Sequence, residues 1–327
     1  MFLDGLLRKS ASELLVEKYI NLLFKIFSYC FMEMMFSSTK RFIRQNLQPF
    51  RGKSSVWPKP RYSCNISDYH FLFILTPPYS GSTALAQVLN SANNSMLLQK
   101  RGEGQWLIPG LCQKNRWDPE KKVDWESVKS TWLSRVSMVD RLVGKIDVII
   151  EKSPPNIVRA EQLLDAFPNN KIITFNRNPY ANCSSILYRH HSPAGKTELE
   201  RITILRELAA NWIFRSTWIK KWVDNLQTVN FTYEQFCNSP ELQIKRITDV
   251  FPLLAEVNAG NPIRVKDYAP QGISNQNRRQ INNLSRQEKI AISEELRDHE
   301  SLLNFFGYTS AWDTGMDDGG ASDINLA

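Results

Sequence analysis

The chain has 327 residues, with 41 Lys and Arg against 33 Asp and Glu and a formal net charge of +8. Its first sixty residues carry ten Lys/Arg against four Asp/Glu, so only +2 remains downstream and no nucleic-acid partner is expected for the main domain. Five cysteines without CxxC spacing argue against a zinc site or a disulfide scaffold. Five Asn-x-Ser/Thr sequons are read as unused, because one of them, Asn182-Cys183-Ser184, falls within the candidate ligand site. A reducing, cytoplasmic setting is expected.

In chain order, residues 1–60 form a basic, amphipathic extension and linker. Residues 19–36 are apolar, but Lys25 and Glu33 interrupt the roughly twenty uncharged residues a membrane span needs. Two readings of this helix stay open. It packs on its own domain or a partner, or it lies peripherally on a membrane with Lys40, Arg41 and Arg44 toward lipid phosphates. The stretch QPFRGKSSVWPKP then reads as a linker.

From residue 69 to 312, short apolar strands alternate with longer helical stretches. Strands are expected over 70–76, 147–152, 171–177 and 228–232. Helices are expected over 83–91, 124–143, 156–167, 179–188, 199–224, 240–251 and 285–306. This alternation predicts an α/β fold with a mostly parallel central sheet and helices on both faces. Ligands then bind beyond the carboxyl ends of the strands. The tail, 313–327, is Gly- and Asp-rich and is expected to be disordered.

Two segments carry phosphate chemistry. The first is FLFILTPPYSGSTALAQVL, a strand, a tight turn and a helix. Gly81 lets backbone approach a ligand, while Ser80, Ser82, Thr83 and the helix's first N–H groups can cradle an anion. Alone, the loop reads more readily as Ser82 or Thr83 capping a helix. The loop lacks the lysine of GxxxxGK[ST], which disfavours an ordinary ATP or GTP site. The second is KIITFNRNPYANCSSIL, where Arg177 ends a strand, Pro179 opens a helix and Ser185 follows eight residues after Arg177. A planar guanidinium suits bidentate phosphate binding, though it also suits an acidic neighbour.

In order and spacing these segments resemble the sulfotransferase family, which uses 3'-phosphoadenosine 5'-phosphosulfate (PAPS). The resemblance runs from about residue 71 to 308. It includes EKSPPNIVRAEQLLDAFPNNKIITFNRNP, VNFTYEQF, the closing helix ending in LLNFFGY, and GEGQWLIPG, which is similar to the tyrosylprotein sulfotransferase branch. The resemblance implies a P-loop-like three-layer sandwich and PAPS as co-substrate without a metal. The 5'-phosphosulfate would lie on Tyr79, Ser80, Gly81, Ser82 and Thr83, the 3'-phosphate on Arg177 and Ser185, and the adenine against Tyr233.

Tyr79 stands where the family usually has Arg or Lys, and it carries no positive charge at neutral pH. Lys152, with Lys100 and Arg101 as alternatives, is the expected replacement cation. Glu103 is the expected general base, with His190 and His191 as rivals, and Gly104 stands where the tyrosylprotein branch has its base. Lys266, Arg278 and Arg279 lie on a long irregular segment read as a lid. Trp106, Trp117, Trp125 and Trp132 shape an acceptor pocket or belong to the core.

The expected function is sulfuryl transfer from PAPS to a hydroxyl or amine of a carbohydrate, lipid or small metabolite. Two alternatives remain: a non-catalytic nucleotide-binding protein of the same fold, and a P-loop small-molecule kinase.

Overall fold

A computed structural model describes residues 65–310, apart from 144, 227, 255 and 264–268. The extension, the linker, the tail and Lys266 lie outside the described residues.

Continuous apolar runs form the strands because both faces of the sheet are covered. Strands β1 (His70–Leu75), β2 (Ser95–Leu97), β3 (Val148–Glu151), β4 (Asn170–Asn176) and β5 (Val229–Thr232) pair in parallel in the order β2-β3-β1-β4-β5. The four expected strands are present. The three-residue edge strand β2 was not expected.

Strand alternation sorts the core into two layers. Phe71, Phe73 and Leu75 face one side, where they pack with Trp132 and Phe167, while Leu72 and Ile74 face the other with Phe175 and Phe231. On the first side lie α2 (Trp125–Val143), α3 (Ala160–Ala166), α4 (Pro179–Ile186), α5 (Glu198–Asn225), α9 (Arg286–Leu296) and α10 (Glu300–Phe305). On the second lie α1 (Ser82–Leu89), α6 (Tyr233–Asn238) and α7 (Pro240–Val250). The three-layer α/β sandwich expected from the sequence is therefore the observed fold.

Three helices start at reciprocal caps. Thr197 with Glu200, Thr232 with Gln235 and Ser285 with Glu288 each exchange side-chain and backbone hydrogen bonds. The second cap ends β5 and begins α6 at once, so Tyr233 opens a helix instead of ending a strand. Three expected helices are subdivided. A 3-10 segment, Pro154–Arg159, precedes α3, a π turn, Leu187–His191, extends α4, and a 3-10 turn separates α9 from α10.

The segment read as a lid contains regular structure among its described residues. Ile263 and Gln271 form an antiparallel bridge, and Asn277–Asn282 is helix α8. Among the described residues, no helix is long and apolar enough to cross a membrane.

Candidate active site

Beyond the carboxyl ends of β1, β3 and β4 opens a cleft of about 680 Å³. β1 is flanked by β3 on one side and β4 on the other, so the cleft sits at the point where the strand order reverses. Seven cationic side chains line it: Arg101, Arg116, Lys152, Arg177, Arg189, Arg215 and Arg279. Glu103 is the single carboxylate among the lining residues. Such a lining favours anions.

The loop after β1 takes its shape from two left-handed residues. Tyr79 has φ 64° and Gly81 φ 88°. The first is uncommon for a residue with a side chain. At Tyr79 it accompanies a carbonyl that accepts a 2.9 Å hydrogen bond from Arg177 Nη1. Asn182 Nδ2 donates to Pro78 O (2.8 Å) and to Ser80 Oγ (3.3 Å), tying the loop to α4. Gly81 is required sterically as well, because a Cβ there would lie 2.5 Å from Cδ2 of Tyr233. Tyr79, Gly81, Ser82 and Thr83 face the cleft, whereas Ser80 is buried behind it.

Arg177 follows β4, and Asn178 caps α4 by accepting from Ala181 N–H (3.2 Å). The Arg177 guanidinium donates through Nε to Asn277 Oδ1 (2.9 Å) and lies 4.4 Å from the centre of the Tyr233 ring. Nearby Glu234 is occupied by neutral donors: the Asn178 N–H, the Asn277 amide and the Tyr308 hydroxyl. Arg177 thus has no ion pair among the described residues, and its buried Nη2 has no partner. Burial pushes its pKa down, so charge there is costly until an anion arrives. Ser185, two turns along α4, also faces the cleft, while Ser184 turns away to Gln280 O.

Tyr233 faces the cleft but is half committed. Its hydroxyl donates to Ser274 O (2.9 Å) and accepts from Gln276 N–H (3.0 Å). The ring therefore clasps 274–276 over the glycine of the loop.

On the other flank, Lys152 follows β3 and its N–H donates to Gly102 O (2.9 Å). Beside that bond Lys152 Nζ lies 2.9 Å from Glu103 Oε1, in a pair that is almost buried. Glu103 Oε2 accepts from Trp106 Nε1 (2.8 Å) and Gln105 Nε2 (3.1 Å). Burial raises the Glu103 pKa, but the Lys152 ammonium and these donors outweigh it, and the net shift is downward. The carboxylate is ionised and weakly basic while the pair is closed.

Beneath the pair, Glu151 is fully buried. It accepts from Gly104 N–H, Ser153 N–H and Oγ–H, and Asn156. Burial nonetheless lifts its pKa to about 7. Gly104 has no room for a side chain: a Cβ would lie 2.6 Å from Leu98 Cδ1 and 2.9 Å from the Trp132 ring. A side chain at this position, a second base included, would have to displace Leu98 and the Trp132 ring.

A sequence profile described as "Sulfotransferase family" matches residues 72–254, more than half of the chain. The chain belongs to the sulfotransferase family. No curated protein matches it significantly. Similar solved structures include the sulfotransferase domain from the curacin biosynthetic pathway (19% identity, 56% of this chain and 74% of that one, TM-score 0.37). Others are sulfotransferase STF9 from Mycobacterium avium (12%, 74% and 78%, 0.44) and the sulfotransferase domain of the Synechococcus PCC 7002 olefin synthase (17%, 75% and 98%, 0.43).

In this sulfotransferase the remaining candidates divide. Arg101, Arg279, His190, His191, Trp106 and Trp117 line the cleft, but Lys100, Arg278, Trp125 and Trp132 do not. Trp132 is core, and Trp125 packs against the core and donates to Gln162 (3.2 Å). The two histidines sit on the π turn, and burial with neighbouring charge pushes the His191 pKa down.

Sequence reasoning missed Asn182, Arg116 and Arg215. Asn182 stood in view as part of a sequon. The two arginines carry no local signal, since they meet only through the packing of α5. Among the described residues no His/Cys/Asp/Glu group is placed to hold a metal ion.

Proposed function

We propose that this sulfotransferase moves a sulfuryl group from PAPS to a hydroxyl or amine acceptor. One observation carries the reading. The loop after β1 and Arg177 after β4 open on the same cleft, and Arg177 keeps a buried, unpartnered Nη2. Two elements suited to anions on one cleft fit a nucleotide phosphorylated at both its 5' and 3' positions. Ser82, Thr83 and the first N–H groups of α1 would hold the 5' end, with Arg177 and Ser185 at the 3'-phosphate and Tyr233 beside the nucleotide. When bound, PAPS supplies a sulfuryl group attached to a phosphate leaving group.

The chain's own residues meet the remaining demands as follows. Tyr79 cannot offer a cation, so Lys152 is the group that stabilises charge developing on the leaving phosphate. As its ammonium turns from Glu103 toward that phosphate, the Glu103 carboxylate loses its main opposing charge and becomes more basic. It then accepts the proton of the acceptor hydroxyl or amine. The ion pair thus stores acid and base partners side by side.

A second reading, nucleotide binding without transfer, draws on the uncharged Tyr79. Sulfur-35 transfer from labelled PAPS onto a panel of hydroxyl and amine acceptors separates the two. In an active enzyme Lys152→Ala lowers the rate about 10²–10³-fold. Transfer that is absent in the natural chain and appears only in Tyr79→Arg would overturn the proposed activity.

A further inference from the structure

Among the cationic groups of the cleft that neither hold the nucleotide nor serve the transfer chemistry above, Arg215 is the most deeply buried. Arg215, on α5, is only 9% exposed and lines the cleft. Its guanidinium stacks on the Trp117 ring at 4.4 Å and reaches the Asn211 amide oxygen only at 3.5 Å, while its Nε is buried without a partner. Among the described residues no carboxylate pairs with it. A second cleft arginine, Arg116, adjoins Trp117 in the chain and adds another positive charge at this end of the cleft. Burial pushes the Arg215 pKa down to about 10.

A buried guanidinium with an unpartnered Nε and no carboxylate beside it is an unfavourable arrangement unless an anion joins it. The planar fork of arginine, backed by an aromatic face, is suited to a carboxylate, sulfate or phosphate. Arg215 and Arg116 differ from the Arg177 site in their surroundings. Arg177 is bounded by Tyr79, Tyr233 and Asn277, and Arg215 by Trp117, Asn211 and Arg116. The 3-10 turn bearing Arg116 and Trp117 packs on the turn that follows Lys152, whose Pro154 and Pro155 also line the cleft. The pair therefore belongs to the Lys152 flank, where an acceptor would approach.

We propose that Arg215 and Arg116, braced by Trp117, form an anion subsite for the acceptor. The acceptor then already carries a negatively charged group besides the hydroxyl or amine that receives the sulfuryl group. The word acceptor rests on the sulfotransferase reading above; the anion subsite does not.

The test is thermal unfolding of the full chain, first saturated with adenosine 3',5'-bisphosphate. Sodium sulfate, phosphate or acetate is then added against chloride at matched ionic strength. The natural chain is expected to gain stability with at least one of the three anions in a saturable step, distinct from the non-saturating stabilisation that sulfate and phosphate give any folded protein. Arg215→Met and Arg116→Gln are each expected to raise the half-saturating concentration roughly tenfold or more. Arg215→Met should keep its bisphosphate response. Arg116 is half-exposed, so its replacement tests the site even if the buried Arg215 variant folds poorly.

A saturable anion response unchanged in both variants, or none in the natural chain, overturns the subsite. Loss of the bisphosphate response in Arg215→Met assigns Arg215 to the nucleotide and also overturns it. If the bisphosphate never binds yet the anion response still needs Arg215, the subsite stands and the PAPS reading falls.

Discussion

Lys152 and Glu103 meet where the hydrogen bonds Lys152 N–H to Gly102 O, Gly104 N–H to Glu151 Oε1 and Gln105 N–H to Ser153 Oγ join segments about fifty residues apart. The sequence offered each as a candidate but could not show that they are partners. Their opposed effects make a prediction. Removing the ammonium in Lys152→Met leaves burial to dominate, so the Glu103 titration should move to higher pH. Carbon-13 NMR of the glutamate carboxyls checks the direction, and an unchanged or lower value would mean the pair does not control Glu103.

Glu151 predicts a pH dependence of stability. Its folded pKa of about 7 lies above the ordinary value of 4.5, so its contribution is complete below about pH 4.5 and declines as pH rises toward 7. Denaturant unfolding at steps from pH 4.5 to 8 should show this decline in the natural chain. Glu151→Gln should lack that part of the slope, whatever its absolute stability.

Among the elements, the strands were legible as apolar runs, because a sheet covered on both faces leaves no polar alternation. β2 was not legible, since three residues among Ser and Asn carry little pattern. α6 was hidden because Thr232 closes a strand and caps a helix in the same residue. The loop after β1 was legible in composition but not in its dependence on α6. The ring that opens α6 lies against Gly81 and leaves no space for a methyl group. Gly81→Ala, strained in φ as well as packing, should therefore destabilise by about 1–3 kcal/mol and weaken nucleotide binding. Thermal unfolding and titration with adenosine 3',5'-bisphosphate check both effects.

Gly104 marks a similar limit on the other flank. Installing the second glutamate of the tyrosylprotein pattern, Gly104→Glu, should cost about 1–3 kcal/mol by driving into Leu98 and Trp132. It should not raise the transfer rate. A stable, faster Gly104→Glu enzyme would contradict the placement of this turn.

At the scale of the molecule, the parallel order β2-β3-β1-β4-β5 brings together residues far apart in the chain, with Arg177 from one side of β1 and Lys152 from the other. Strand and helix alternation was sufficient to anticipate the sandwich, and the cleft lies at the strand ends where ligands were expected. It was insufficient for Arg116 and Arg215, which come from a 3-10 turn and a long helix and meet only when α5 packs across the sheet.

The proposed activity requires Arg177 to bind a 3'-phosphate. The direct measurement is thermal unfolding with adenosine 3',5'-bisphosphate, compared with AMP and with ATP plus magnesium. At about 100 times its dissociation constant a ligand adds about 2.7 kcal/mol, a shift of several degrees in a domain of this size. The expected result is a shift that requires the 3'-phosphate and disappears in Arg177→Ala. A shift with magnesium-ATP and none with the bisphosphate would contradict it.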